Sequence, residues 1–174
     1  PNGVDTDYFC PADGRYQPHA ISFVGRMDYY PNQQCMFDFC SNVLPRLRAR
    51  CPDLTLTIVG AEPSARVRAL AQLPGVTVTG QVPDVRPYVR RSAVMVAPLA
   101  IARGTQNKIL ESMAMGVPVV TSGVAARGVD AVAGEHLLVA DDEAGLADSV
   151  LRLLASPEER NRLAEAGRRR MQSH

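Results

Sequence analysis

The sequence carries almost no net charge, no long apolar run and no paired cysteine motif, and each of these gaps closes off a class of function. Nineteen Lys and Arg against 18 Asp and Glu leave a formal charge of +1, too little for the positive field that nucleic-acid binding needs. Apolar runs such as Val117 to Val120 are far shorter than the roughly 20 residues that span a bilayer. The four cysteines, at positions 10, 35, 40 and 51, form no CxxC pair and no zinc-type spacing. A disulfide framework does not suit a chain large enough to bury its own core, so reduced thiols in a cytoplasmic protein are expected. There is no Ser/His/Asp set, no GxGxxG and no Walker loop. His19 and His136 have no ligand-spaced partner, so neither a metal nor a cofactor is expected. The sequence opens on Pro1 with no initiator Met and no charged-then-apolar stretch, and the last helical pattern stops uncapped after Arg168-Arg169-Arg170. The chain therefore reads as a piece of a larger protein.

What is present is an alternation of short apolar runs with amphipathic stretches. Strands are expected at residues 20–24, 54–59, 76–79, 93–97, 117–121 and 136–139. The periodicity places helices at about 32–50, 64–73, 85–91, 105–115, 143–154 and 157–170. Pro45 should kink or break the first of these. Gly116 suits the residue after a helix end, and Ser156-Pro157-Glu158-Glu159 is a helix start. Asp141-Asp142-Glu143 reads as another helix start rather than a metal site. Fully apolar strands alternating with helices predict an α/β domain, a Rossmann-like doubly wound parallel sheet of about six strands. Residues 1–18 would lie before it and 19–174 would form it.

Such sheets bind ligands beyond the carboxyl ends of their strands, and three clusters fall there. Gly25 and Arg26 follow the first strand, offering close backbone approach and a forked phosphate donor. A tight turn with a solvated arginine is the plainer reading. Arg103-Gly104-Thr105-Gln106-Asn107-Lys108-Ile109-Leu110-Glu111 follows the fourth strand and opens a helix, with Gly104 and Thr105 presenting backbone N–H groups to an anion. Lys108 is a cation in a first helical turn, where it costs about 0.3–1 kcal/mol without an anion beside it. A surface pair of Lys108 with Glu111 would be the structural alternative. Gly80-Gln81-Val82-Pro83 could flank a base or be an ordinary loop. Met113 and Met115 look like core filler. Arg168 to Arg170 read as a solvated face, with peripheral contact to an anionic membrane as the lesser option.

Pro1-Asn2-Gly3-Val4-Asp5, Phe23-Val24-Gly25-Arg26 and Leu110-Glu111-Ser112-Met113-Ala114-Met115-Gly116-Val117-Pro118-Val119-Val120 resemble the group 1 family of glycosyltransferases with the GT-B fold. Met27 to Asn32 and Ala102 to Glu111 look like a branch found in bacterial exopolysaccharide clusters. The resemblance implies the C-terminal, donor-binding half of a two-domain enzyme. It implies transfer of a sugar from a nucleoside diphosphate to an acceptor sugar or lipid-linked glycan held by the other half, retaining and without metal. The fragment alone is then expected to bind donor weakly and not to turn over. Carried over by position, Arg26, Gly104 and Thr105 would meet the diphosphate. Glu111, the second glutamate of the family's E-x7-E motif, would hold the ribose. Gly60, Gln81 and Val82 would flank the base.

Two positions depart from the family. Arg103 stands where the first motif glutamate belongs, and Asp28-Tyr29-Tyr30-Pro31 replaces the lysine that follows Gly-Arg. Lys108 is the expected substitute at the phosphates, with Gln106 and Asn107 beside it, and Arg26 and Lys108 would stabilise the leaving group. A nucleotide-sugar epimerase half and a non-catalytic nucleotide-sugar-binding module remain the competing classes.

Overall fold

The computed structural model describes residues 3–173. Its strands are β1 (Gln17–Val24), β2 (Thr55–Val59), β3 (Val76–Val78), β4 (Ser92–Ala97), β5 (Val119–Thr121) and β6 (Leu138–Val139). They form one sheet in the order β3-β2-β1-β4-β5-β6, and each neighbouring pair is parallel. Ile21 is level with Leu56 on one side and Val94 on the other. All six residues of β4 are buried, as expected of a strand covered on both faces. The doubly wound Rossmann-like sheet expected from the apolar strands is therefore present.

The boundaries differ from the sequence reading in instructive ways. β1 begins at Gln17, inside the segment expected to precede the domain. The expected 32–50 helix is α1 (Tyr30–Asp38), a π-helical turn (Phe39–Val43) and α2 (Leu44–Arg50). Pro45 has no N–H to donate, and the chain meets this with one wide turn in which Leu44 N–H reaches back to Phe39 O. The expected 64–73 helix is α3 (Ala65–Arg68) followed by a 3₁₀ turn (Ala69–Gln72). α4 (Arg86–Arg90) precedes β4, and α5 (Asn107–Ala114) begins two residues later than the pattern suggested. The last two strands are shorter than expected, because Val117 and His136 lead into them rather than pair. A one-turn helix, α6 (Gly123–Ala126), lies in a stretch read as loop.

α7 (Glu143–Ala155) and α8 (Pro157–Gln172) close the fold, and both are capped as the sequence indicated. Asp142 accepts from Gly145 N–H at 2.6 Å and Ser156 from Glu159 N–H at 3.2 Å. Met113 and Met115 are core residues. The three arginines near the end of α8 are not simply solvated. Arg168 donates to the carbonyl of Ala114 at the end of α5, Arg169 pairs with Glu165, and Arg170 holds Asp130 at 2.6 Å. Among the described residues no helix is long and apolar enough to cross a membrane.

Residues 3–16 lie against the domain. Arg86 of α4 stacks 3.7 Å over the Tyr8 ring and donates to the Tyr8 carbonyl, while Arg90 donates to the Cys10 carbonyl at 2.8 Å. Val4 and Phe9 pack on the core. All four cysteines are free thiols, and burial pushes Cys35 up to about 12 and Cys40 to about 11.

Candidate functional site

The order of the sheet places the site. From β1 the chain winds outward through β2 to β3; it then returns to lay β4 on the other side of β1 and winds outward through β5 to β6. The loops leaving β1 and β4 consequently diverge, and a crevice opens between their carboxyl ends. Gly25 leaves β1 into this crevice, and the segment from Pro98 to Gln106 leaves β4 and delivers α5.

Three side chains meet there. Lys108, in the first turn of α5, donates to Asn32 Oδ1 on α1 at 2.8 Å, and Asn32 Nδ2 donates to the Arg26 carbonyl at 2.9 Å. The ammonium also lies 4.5 Å from the centre of the Phe23 ring. Gly25 is small for a reason: a Cβ there would stand 2.6 Å from Asn32 Nδ2 and 2.9 Å from Lys108 Nζ. Gly60, at the end of β2, is constrained still more tightly, since its Cβ would sit 1.8 Å from the Gly25 carbonyl oxygen. The two glycines let the β1 and β2 loops touch, with Met27 N–H donating to the Ala61 carbonyl.

Lys108 has no carboxylate within ion-pair distance among the described residues. Glu111 does not pair with it, so the surface Lys108–Glu111 pair considered from the sequence does not form. Burial lowers the Lys108 ammonium to about 8, against smaller opposing pulls from Cys35 and Glu111. Burial likewise raises the Glu111 carboxyl, with Lys108 drawing it back. The two partners agree on direction: each loses more by leaving water than it gains from the other.

The helix start is displaced from its expected place. Gly104 and Thr105 precede the first turn, whose Asn107 and Lys108 amides have no acceptor among the described residues. Gln106 occupies the N-cap position without a side-chain cap, its amide turned back to the Arg103 and Gly104 carbonyls. Gly104, with φ of 64°, is braced from behind, where a Cβ on Gly128 would be 2.2 Å from its carbonyl oxygen. An uncapped helix start beside a half-buried cation suits an anion.

The other expected site residues are spread around this centre. The Arg26 guanidinium is exposed and grips Asp28 in a fork, at 3.0 and 2.6 Å; that contact holds it protonated and lowers the Asp28 carboxyl. Glu111 borders a cavity of about 100 Å³ shared with Gly3, Val4, Asp5, Phe9, Asn107 and Leu110. Gly60 adjoins Gly25, whereas Gln81 and Val82 follow β3, two strands away. Arg103 is exposed. Asn32, a buried polar side chain in the first turn of α1, was not among the expected residues; what marks it is its contact with Lys108. His19 does have partners after all: its Nδ1 lies 2.7 Å from Asp53 Oδ2, and Cys51 Sγ lies within 4.8 Å of both groups, at the opposite end of the sheet.

Comparison with known proteins agrees with this architecture. The sequence pattern of the family described as glycosyl transferases group 1 matches residues 18–156. No curated protein sequence matches the chain. Among solved structures it is similar to the C-terminal domain of LpcC, a glycosyl transferase group 1 family protein from Francisella tularensis. That match has a TM-score of 0.78 at 20% identity, covering 98% of this chain and 97% of that one. Sucrose-phosphate synthase from Thermosynechococcus elongatus superposes with a TM-score of 0.78 at 25% identity over 99% of this chain. HepE of Anabaena, solved with UDP and glucose, gives 0.76 at 12% over 99%. The chain spans 47% and 51% of those two proteins. A doubly wound sheet of this strand order, a family pattern that runs from β1 to the start of α8 and superposition on a whole C-terminal domain point one way: the chain belongs to the group 1 glycosyltransferases, with the architecture of the C-terminal domain of their GT-B fold.

Proposed function

We propose that the crevice between β1 and β4 holds the diphosphate of a nucleotide sugar, and that this chain is the donor-binding part of an enzyme passing the sugar to an acceptor. The observation that carries the reading is Lys108: a half-buried ammonium without a carboxylate partner among the described residues, at a helix start whose first amides have no acceptor among them. A diphosphate supplies the missing negative charge, and the same groups stabilise the charge that grows on the leaving group as the glycosidic bond to phosphate breaks. Asn32 orients Lys108, and Arg26 reaches the diphosphate by exchanging Asp28 for a phosphate oxygen. Gly104 and Thr105 shape the loop, while Gln106 and Asn107 present the helix start. Glu111 accepts from the ribose hydroxyls. Strands lie about 4.8 Å apart, so Gln81 and Val82 stand about 10 Å across the sheet from Gly25. That is the distance from a diphosphate to its base, with Gly60 on the way. The donor complex of the Anabaena neighbour with UDP-glucose fits this class of ligand.

The reading extends to a retaining, metal-independent transfer in polysaccharide or glycoconjugate synthesis. The acceptor sugar or lipid-linked glycan is bound outside these 174 residues, and the isolated chain is inactive in transfer. The test is thermal unfolding of the chain with UDP, GDP, ADP and CDP, each with and without Mg²⁺. A ligand at a hundredfold excess over its Kd adds about 2.7 kcal/mol, a rise of roughly 5–10 °C at this size. One diphosphate should raise the midpoint without metal and fail to do so in Glu111→Ala. No rise with any of the four overturns the reading for this chain.

A further inference from the structure

A cavity lies at the far end of the sheet from the crevice. Its lining places it there: Tyr16 directly precedes β1, Arg91 directly precedes β4, and Gly116 and Val117 lead into β5. Its volume is about 440 Å³, within the range of small-molecule sites.

Four arginines line this cavity, Arg15, Arg90, Arg91 and Arg160, and no Asp or Glu does. In a chain with a net charge of +1, that is a strong local excess of one sign. Two of the four are fixed. Arg160 is buried, donates to the Ala93 carbonyl at 3.0 Å and lies 3.3 Å over the Tyr16 ring; Arg90 is tied to the Cys10 carbonyl. Each of those contacts uses only some of the five donors a guanidinium carries. Arg15 and Arg91 have no side-chain hydrogen bond or ion pair among the described residues, and both are exposed at the rim. Asp13 belongs to the same loop but does not line the cavity. Pro11, Pro87, Met115 and Val117 supply apolar wall.

We propose that this cavity is a second ligand site, for a soluble small molecule that carries a phosphate or pyrophosphate on a carbon skeleton. Forked guanidiniums are the side chains best matched to phosphate oxygens. The volume exceeds what a bare inorganic ion fills, and the proline and methionine walls suit the carbon part. A recessed cavity, unlike a flat basic face, selects a soluble ligand over a membrane. The site is independent of the donor crevice: no residue is shared between the two sets.

The test is amide NMR of the ¹⁵N-labelled chain titrated with sodium pyrophosphate and with glucose 6-phosphate, beside vesicles of phosphatidylglycerol. Shifts are expected at residues 14–16, 91 and 116–117 with both soluble probes, with glucose 6-phosphate bound at least as tightly as pyrophosphate. The double variant Arg15→Gln, Arg91→Gln should weaken that response tenfold or more while leaving shifts at Gly25 and Lys108 unchanged. Both substituted side chains are exposed, so folding is retained, which the unaltered remainder of the spectrum verifies. Shifts confined to Gly25 and residues 104–111, a response the double variant leaves intact, or binding to vesicles with none to the soluble phosphates would each overturn the proposal.

Discussion

Lys108 is where charge and burial conflict most sharply. The start of a helix disfavours its ammonium, the Phe23 ring face offsets burial only in part, and Asn32 is its one hydrogen-bond partner among the described residues. Burial lowers its pKa from 10.5 to about 8. Because the folded value is the lower one, the cost of holding the charge is fully present below about pH 8 and fades as pH rises towards 10.5. Lys108→Met should therefore raise the melting midpoint of the empty chain by a few degrees at pH 7, with the gain narrowing at higher pH. It should also abolish the stabilisation by nucleoside diphosphate. Calorimetry at pH 7 and pH 9.5 would check both, and a lowered midpoint at pH 7 would refute the first. For the same reason, diphosphate affinity of the native chain should fall as pH rises through about 8, and Lys108→Arg should remove that inflection; isothermal titration across the range measures it. Gly25→Ala forces Asn32 and Lys108 apart and should weaken diphosphate binding more than it lowers stability. Gly60→Ala instead drives a Cβ into a backbone oxygen and should cost more than about 2 kcal/mol in urea unfolding. Much of this was readable beforehand: a cation in a first helical turn and a glycine after a strand are local signals. Asn32 was not, because what marks it is a contact 76 positions along the chain, and no periodicity reports that.

At the scale of elements, the caps were legible and the interruptions were not. Ser156 and Asp142 stand at the starts of α8 and α7 as their residue types demand. Ser156→Ala should remove the acceptor for Glu159 N–H and cost about 1 kcal/mol, a drop of roughly 2–4 °C in the midpoint. An unchanged midpoint would mean that water replaces the hydroxyl at no cost. Pro45 announced a break in the long first helix, but not that the break would be a π turn rather than a kink. The choice depends on keeping Cys40, Val43, Leu44 and Leu47 on the buried side of the two halves, which is a demand of the core rather than of the proline. The late start of α5 has a similar origin. Residues 105 and 106 were expected to be helical, yet Gly104 before them is held in a left-handed conformation against Gly128, a neighbour that sequence spacing does not reveal.

For the molecule as a whole, the strands at the middle of the sheet carry the stability and those at its edges are short. β1 and β4 lie between other strands, whereas β3 and β6 have three and two residues. Hydrogen exchange should show amides of β1 and β4 opening only with global unfolding, and those of β3 and β6 opening earlier. Uniform protection across all six strands would contradict that. Fold class followed from alternation alone, since apolar strands between helices leave few other arrangements. Strand order did not, and it is strand order that makes the crevice. β1 and β4 are neighbours in space but are separated in sequence by α1, α2, β2, α3, β3 and α4. As the chain leaves a ribosome, β1 can pair with β2 early, yet its other edge stays bare until β4 has been made, and Asn32 waits longer still for Lys108. Contacts at such separation are the slow ones to close, and an uncovered central strand invites association with other chains in the meantime. The crevice is therefore among the last parts of the domain to be completed, and an arrested nascent chain that has released α4 but not α5 would hold half a sheet and no site.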